Sequence, residues 1–143
     1  MRYLAATDGS PESDDAVCYA ARQALAFDAR LEIVHVLTPE AELVDGEVVM
    51  AGGDAAIEQG EATLARAREL ATGVADDRGE DLTVDTQLLT GRAADAIAEH
   101  AAATGADAIY VGHRGISGER ERVVGSVAKS VLDRASVPVT IIR

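Results

Sequence analysis

The sequence predicts a single α/β domain, a five-stranded and mostly parallel sheet with helices covering both faces. Three observations carry this. Five short apolar runs recur along 143 residues. Four segments with helical spacing separate them. A chain of this length has room for one full core and no second one. Strands that alternate with helices return the chain to the same sheet end each time, which makes neighbouring strands parallel.

Tyr3-Leu4-Ala5-Ala6-Thr7 is the first strand, ended by the turn Asp8-Gly9-Ser10-Pro11. A helix follows from about Glu12, with Ser10 as N-cap and Pro11 at its first position; Ala16, Ala20, Gln23 or Ala24, and Phe27 share its apolar face. The second strand is Leu31 to Leu37, closed by Thr38-Pro39. Residues 38–53 contain Gly46, Gly52 and Gly53 without a clear period, and read as a mobile loop. Asp54 then caps a long helix to about residue 77, with Ile57, Leu64, Ala71 and Val74 on one face. Leu82 to Leu89 alternates like a half-exposed strand, and Thr90-Gly91 turns it into an Ala-rich helix that Gly105 closes. Asp107 to Val111 is the fourth strand. After a Gly-rich loop come a helix over about 125–134 and a last strand, Val137 to Ile142.

Composition narrows the function. At 48% apolar the chain is not globally disordered. Its apolar runs fall short of the ~18 residues of a membrane span, and Met1 to Asp8 meets a charge too early for a signal-peptide core. A cytoplasmic protein is expected. The 25 acidic residues outnumber 13 basic ones for a net −12, and Lys129 is the only lysine. Such a field disfavours nucleic acid and anionic membranes as partners. Acidic excess with almost no lysine fits a halophilic, archaeal origin; a GC-rich genome also replaces Lys by Arg. Cys18 is alone, so neither an internal disulfide nor a cysteine metal cluster can form.

The informative stretch is Gly112 to Ala128. Gly112 and Gly115 follow a buried strand, where a ligand could meet main-chain N–H groups. Gly125-Ser126 opens a helix whose free N–H groups favour an anion. Residues 111–130 carry Arg114, Arg120, Arg122 and Lys129 against Glu119 and Glu121, a net +2, which leaves −14 on the remainder. Together these are the parts of a phosphate cradle. The chain lacks the P-loop pattern and lacks G-x-G-x-x-G after its first strand, against both a P-loop protein and a dinucleotide-binding domain. A phosphoacceptor receiver is disfavoured as well, since Leu88-Leu89-Thr90 stands where the phosphoacceptor Asp belongs.

Gly112, Gly115, Gly125 and Ser126 match the pattern G-x2-G-x9-G-[ST] at every spacing. With the Thr7-Asp8-Gly9-Ser10 turn, the His35-Val36 strand ending and Val137-Pro138-Val139, the chain resembles the ATP-binding branch of the universal stress protein family over essentially its whole length. The resemblance implies a Rossmann-like sheet of order 3-2-1-4-5, with a ligand crevice where the first and fourth strands lie side by side. It implies that Ala6, Thr7 and Asp8 lie beside the adenosine and that the Val36 backbone holds the adenine edge. Val111, Gly112 and Gly115, with His113 and Arg114, would approach ribose and phosphates; Gly125, Ser126 and Val127 would hold the β- and γ-phosphates. The ligand would be ATP, or ADP or AMP, with any Mg²⁺ held by the phosphates. One departure stands out: Ala128 occupies a position where the family commonly has a hydroxyl, which bears on ATP-over-AMP discrimination. The family also pairs through its last strand, so Val137, Val139 and Ile141 are expected at a homodimer axis, on an edge that only Arg143 protects.

Other chemistry is weaker. His35 reads as a packed or hydrogen-bonded strand residue, His100 as a solvated one and His113 as a loop residue. Cys18 reads as a buried inert thiol. No pair of histidines has metal-ligand spacing. Ser126 has no assignable general base, so phosphate ligation suits it better than nucleophilic attack. A nucleotide-binding stress or signalling protein is therefore expected rather than an enzyme. The alternative is a slow ATPase acting as a nucleotide-dependent switch, with Glu119 or Glu121 as its carboxylate, or a family member whose site favours AMP or ADP. The intact glycine pattern argues against a stress-family scaffold with an empty site.

Overall fold

A computed structural model of the chain describes residues 1–38, 40–44, 46–51, 53–113 and 125–143. The elements run β1 (Arg2–Ala6), α1 (Pro11–Ala26), β2 (Arg30–Leu37), β3 (Glu40–Val44), β4 (Glu47–Ala51), α2 (Gly53–Asp77), β5 (Val84–Thr90), α3 (Ala93–Thr104), β6 (Ala108–Gly112), α4 (Ser126–Arg134) and β7 (Val139–Ile142). The main sheet is parallel throughout, with order β5-β2-β1-β6-β7. Counting only its own strands, that is the expected 3-2-1-4-5.

The period of two along each strand sorts the core into two layers. Tyr3, Ala5, Leu31, Ile33 and Tyr110 face α1 and α2, where Val17, Ala20, Ala24, Leu64 and Ala71 meet them. Leu4, Val34, Ile109 and Val111 face α3 and α4, against Ile97, Ala101, Ala128 and Val131. Small residues on α1 let this helix ride close to the sheet. Tyr110 lies 5.6 Å from Tyr3 and 6.0 Å from Tyr19 between ring centres. Burial, with a smaller contribution from those two phenols, pushes the Tyr110 hydroxyl up to about 12.

Local chemistry sets most boundaries. Ser10 is the N-cap of α1 and accepts the Ser13 N–H at 3.2 Å, with Pro11 following at the start of the helix. Gly105 closes α3 at φ 69°, ψ 36°, a left-handed conformation that suits glycine. Three expectations are corrected. Residues 38–53 are not simply a loop: β3 and β4 form an antiparallel hairpin, with Val44 opposite Glu47 around a turn in which Gly46 has φ 81°. Asp54 lies inside α2, in its first turn, and does not precede it. Phe27 is 57% exposed at the end of α1 and Ile57 is 42% exposed, so neither belongs to the core.

Candidate functional site

β1 and β6 are neighbours, and the chain leaves β1 toward β2 on one side while β6 and β7 lie on the other. The winding of the sheet reverses between them. At such a point the connections after the two strands diverge and leave a crevice at their carboxyl ends. The crevice ends of the neighbouring strands carry Ala6, Thr7 and Asp8 on one side and Gly112 and His113 on the other.

The β1 side is a knot of hydroxyls. Thr7, Ser10 and Ser13 are each at least nine-tenths buried. Ser13 Oγ donates to the Ser10 carbonyl at 2.9 Å and lies 3.1 Å from Thr7 Oγ1 and 3.2 Å from Ser10 Oγ. It also accepts the Asp8 N–H at 3.3 Å. The Gly9 N–H donates to Thr7 Oγ1, and the Ser10 N–H to Asp8 Oδ1. Gly9 has φ 83°, which lets the chain reverse here. From α2, Arg66 reaches across to Asp14 and to the Gly9 carbonyl. The result is a turn fixed from three sides, with Asp8 at its lip.

On the β6 side, Gly112 has a packing reason of its own. A Cβ there would lie 2.8 Å from the carbonyl carbon and oxygen of Glu12 and 3.0 Å from the Ser13 nitrogen. Glycine at 112 therefore lets the strand end meet the first turn of α1. Val111 points into the layer beneath α3 and α4 and is paired with Ile141. His113 is buried, against the loop exposure expected for it: its N–H reaches the Ile142 carbonyl at 2.8 Å, and Nδ1 lies 3.3 Å from the same oxygen. Its ring is thus turned to β7.

The start of α4 is tied to this strand end. Gly125 is its N-cap, and the Gly125 N–H donates to the His113 carbonyl. Among the described residues α4 is the helix whose first turn holds no acidic side chain; α1 has Glu12 and Asp14 there, α2 Asp54 and α3 Asp95. Its N-cap, being glycine, has no side chain to supply a capping acceptor. The first bond inside the helix runs from the Lys129 N–H to Gly125, which leaves the N–H groups of Ser126, Val127 and Ala128 without an intrahelical acceptor. Ser126 and Val127 are exposed, while Ala128 is buried in the core, so a hydroxyl at 128 would sit in apolar surroundings. Partial positive charge thus faces outward at one end of the crevice. Arg114 and Gly115, with Glu119 and Glu121, lie outside the described residues.

On β2, Val36 stands beyond the last β1 partner, since the paired register ends at Ala6 opposite Val34. His35 donates through Nδ1 to the Thr7 carbonyl at 2.7 Å. Sequence reasoning missed Ser13 and Arg66 as parts of this site. The Ser10-x-x-Ser13 spacing was the available signal for the first. His100, expected in solvent, instead places Nε2 2.5 Å from Glu32, which Arg2 also approaches at 3.6 Å. That group lies toward the opposite end of the sheet. Cys18 is half-buried, not fully buried, and burial pushes its thiol above the ordinary value with Arg22 opposing. No helix of the described residues is long and apolar enough to cross a membrane.

Comparison with known proteins fits this architecture. The Universal stress protein family matches residues 1–143. A universal stress protein of Thermus aquaticus is 32% identical over 98% of this chain and 96% of its own. One from Mycolicibacterium smegmatis is 34% identical over 97% of this chain, which spans 47% of that longer protein. Among solved structures, a universal stress protein in complex with cAMP superposes with TM-score 0.75 at 26% identity, covering 100% of this chain and 97% of that one. The Archaeoglobus fulgidus protein in complex with dAMP gives 0.72 at 25% identity, covering 100% and 98%.

Proposed function

The chain belongs to the universal stress protein family, and from that premise we propose that it binds an adenine nucleotide, ATP foremost, and acts through its occupancy as a stress or signalling protein in the cytoplasm. One observation carries the reading: the first turn of α4, with glycine as its N-cap and no acidic side chain of its own, is tied through Gly125 to the end of β6, beside the exit of β1. In a chain of net −12, an anion site so assembled needs a reason other than solubility. The cAMP and dAMP complexes of related proteins support an adenine ligand.

Asp8, with Ala6 and Thr7, would face the ribose or base, and the Val36 main chain the adenine edge. Gly112, Gly115 and Arg114 would line the path to the phosphates. The Gly125 N–H is already used within the protein, so the terminal phosphates would fall to the N–H groups of Ser126, Val127 and Ala128 and to the Ser126 hydroxyl. With no hydroxyl at 128, selection of ATP over AMP would rest on those main-chain donors. Mg²⁺ would be held chiefly by the phosphates. Binding is favoured over catalysis, because Ser126 has no assigned base and a water-activating carboxylate would have to come from Glu119 or Glu121. A turnover assay on wild type, Ser126→Ala and Glu121→Gln tests the slow ATPase. The charge balance supports a protein adapted to high salt, and β7 at the sheet edge, with Val137 just ahead of the strand and not within it, supports a homodimer through Val137, Val139 and Ile141.

Mass spectrometry of nucleotide released from the purified, denatured protein should find an adenine nucleotide. Gly115→Val should weaken ATP by about tenfold or more, ~1.4 kcal/mol, measured by calorimetry. Unchanged affinity in the folded variant would remove the cradle.

A further inference from the structure

The hydrogen bonds between β1 and β2 follow the slanted parallel pattern. The Met1 carbonyl takes the Arg30 N–H at 2.9 Å, and the Thr7 N–H reaches the Val34 carbonyl at 2.9 Å. Even-numbered residues of β2 thus turn their main-chain groups toward β1. Odd-numbered ones turn toward β5, as the bond from the Leu31 N–H to Thr83 shows. The next rung toward β1 would run from the Val36 N–H to the Thr7 carbonyl. That carbonyl is engaged by the His35 ring, with Nδ1 at 2.7 Å. A carbonyl only accepts, so Nδ1 carries the proton in this contact. The ring is also held from above: a Cβ on Gly60 of α2 would lie 3.2 Å from His35 Cδ2 and 2.8 Å from Leu88 Cδ1. Thr7 itself is fixed by the Ser13 hydroxyl.

We propose that His35 is a positioning residue that sets base specificity: by engaging the Thr7 carbonyl it keeps the Val36 N–H turned into the crevice as a reader of adenine. This rests on the adenine-nucleotide reading above. A main-chain N–H beside a C=O complements an acceptor beside a donor, and adenine offers that pair in N1 and its 6-amino group. Hypoxanthine offers the reverse, N1–H and a carbonyl, so both contacts would become mismatched. A site built to pair such groups rejects the base that leaves them unpaired. Without the imidazole, the Val36 N–H can close onto Thr7 as an ordinary ladder rung. The donor is then spent inside the sheet.

The test is calorimetric titration of wild type, His35→Leu and His35→Asn with ATP and with ITP. Wild type should prefer ATP by about tenfold or more. His35→Leu, similar in bulk and without a donor, should lose about tenfold in ATP affinity while ITP changes by less than about threefold. His35→Asn, whose side-chain amide can donate from nearly the position of Nδ1, should recover the preference. A general loss of stability would weaken both nucleotides together and would not be rescued by Asn. The inference is overturned if His35→Leu keeps the wild-type ratio, if it weakens ATP and ITP equally, or if Asn and Leu behave alike. Wild type that binds ATP and ITP equally overturns the role of His35 and leaves nucleotide binding intact; wild type that binds neither overturns both. If His35→Leu does not fold, nitrogen-15 NMR on wild type decides: the Val36 amide proton should shift on adding AMP and not IMP. An unmoved Val36 amide overturns the inference.

Discussion

Gly112→Ala is the sharpest perturbation of this fold, because the added methyl group has nowhere to go. Its carbon would stand 2.8 Å from the Glu12 carbonyl carbon and oxygen and 3.0 Å from the Ser13 nitrogen. All three are main-chain atoms, so no side-chain rotation relieves the contact. β6 is held between β1 and β7, and α1 is fixed at this end by its Ser10 cap and by Arg66. Either the helix backs off, thinning the layer of Ala16, Ala20 and Ala24, or the strand end leaves its register. Overpacking costs about 1–3 kcal/mol, and contact with the unyielding Glu12–Ser13 peptide of α1 places this case at ~3 kcal/mol. For a domain of this size that lowers the melting temperature by roughly 10 °C. Denaturant titration followed by circular dichroism measures it. Gly73→Ala is the matched control: its added Cβ meets nothing within 4 Å, and it lies within α2. That change should stabilise by ~0.5–1 kcal/mol through helix propensity. Gly112→Ala as stable as wild type, beside a stabilised Gly73→Ala, would refute the rigid α1–β6 contact. It would return the glycine to a purely ligand-facing role.

Tyr110 should set an alkaline limit. Its hydroxyl is raised to about 12 in the folded protein against ~10 in an unfolded chain, so its neutral form favours folding fully below pH ~10, and that contribution is lost as pH rises toward 12. Ultraviolet titration should show one tyrosine ionising late, and Tyr110→Phe should flatten the fall in stability; Tyr110 ionising at an ordinary value would refute this. Raising KCl from ~0.01 M to ~1 M shortens the screening length from ~30 Å to ~3 Å, so a chain of net −12 should melt progressively higher; a flat salt profile would remove the high-salt reading. Val139→Asp with Ile141→Asp should give monomers by light scattering, and a monomeric wild type at micromolar concentration in high salt would dismiss the edge-strand dimer.

Local signals carried much of the fold. Ser10-Pro11 announced α1, Gly105 closed α3, and the alternation of short apolar runs with helical spacing fixed the layers without any long-range information. The hairpin was missed although Asp45-Gly46, a strong two-residue hairpin signal, stands between Leu43-Val44 and Val48-Val49. Those strands are five residues each, with Gly46 between them and Gly52 and Gly53 just after, so a loop reading is also compatible with the pattern. His35 is the packed, hydrogen-bonded strand residue that its position implies, whereas His100 and His113 could not be placed because burial depends on distant partners: His100 meets Glu32 across 68 positions, and His113 meets Ile142 across 29. Gly112 shows the same limit at the candidate site. Its spacing to Gly125 pointed to a ligand, yet close approach to Glu12 and Ser13 is a second demand that only the folded chain displays.

The bond from the Gly125 N–H to the His113 carbonyl has an architectural corollary. The eleven residues between them begin and end at one point of the scaffold, so the ends are brought together by the scaffold's own hydrogen bond. Closure entropy grows only with the logarithm of length, and doubling that stretch would cost about 0.6 kcal/mol. The junction between the end of β6 and the start of α4 is therefore a place where the chain can change in length at little cost to the strands and helix that flank it.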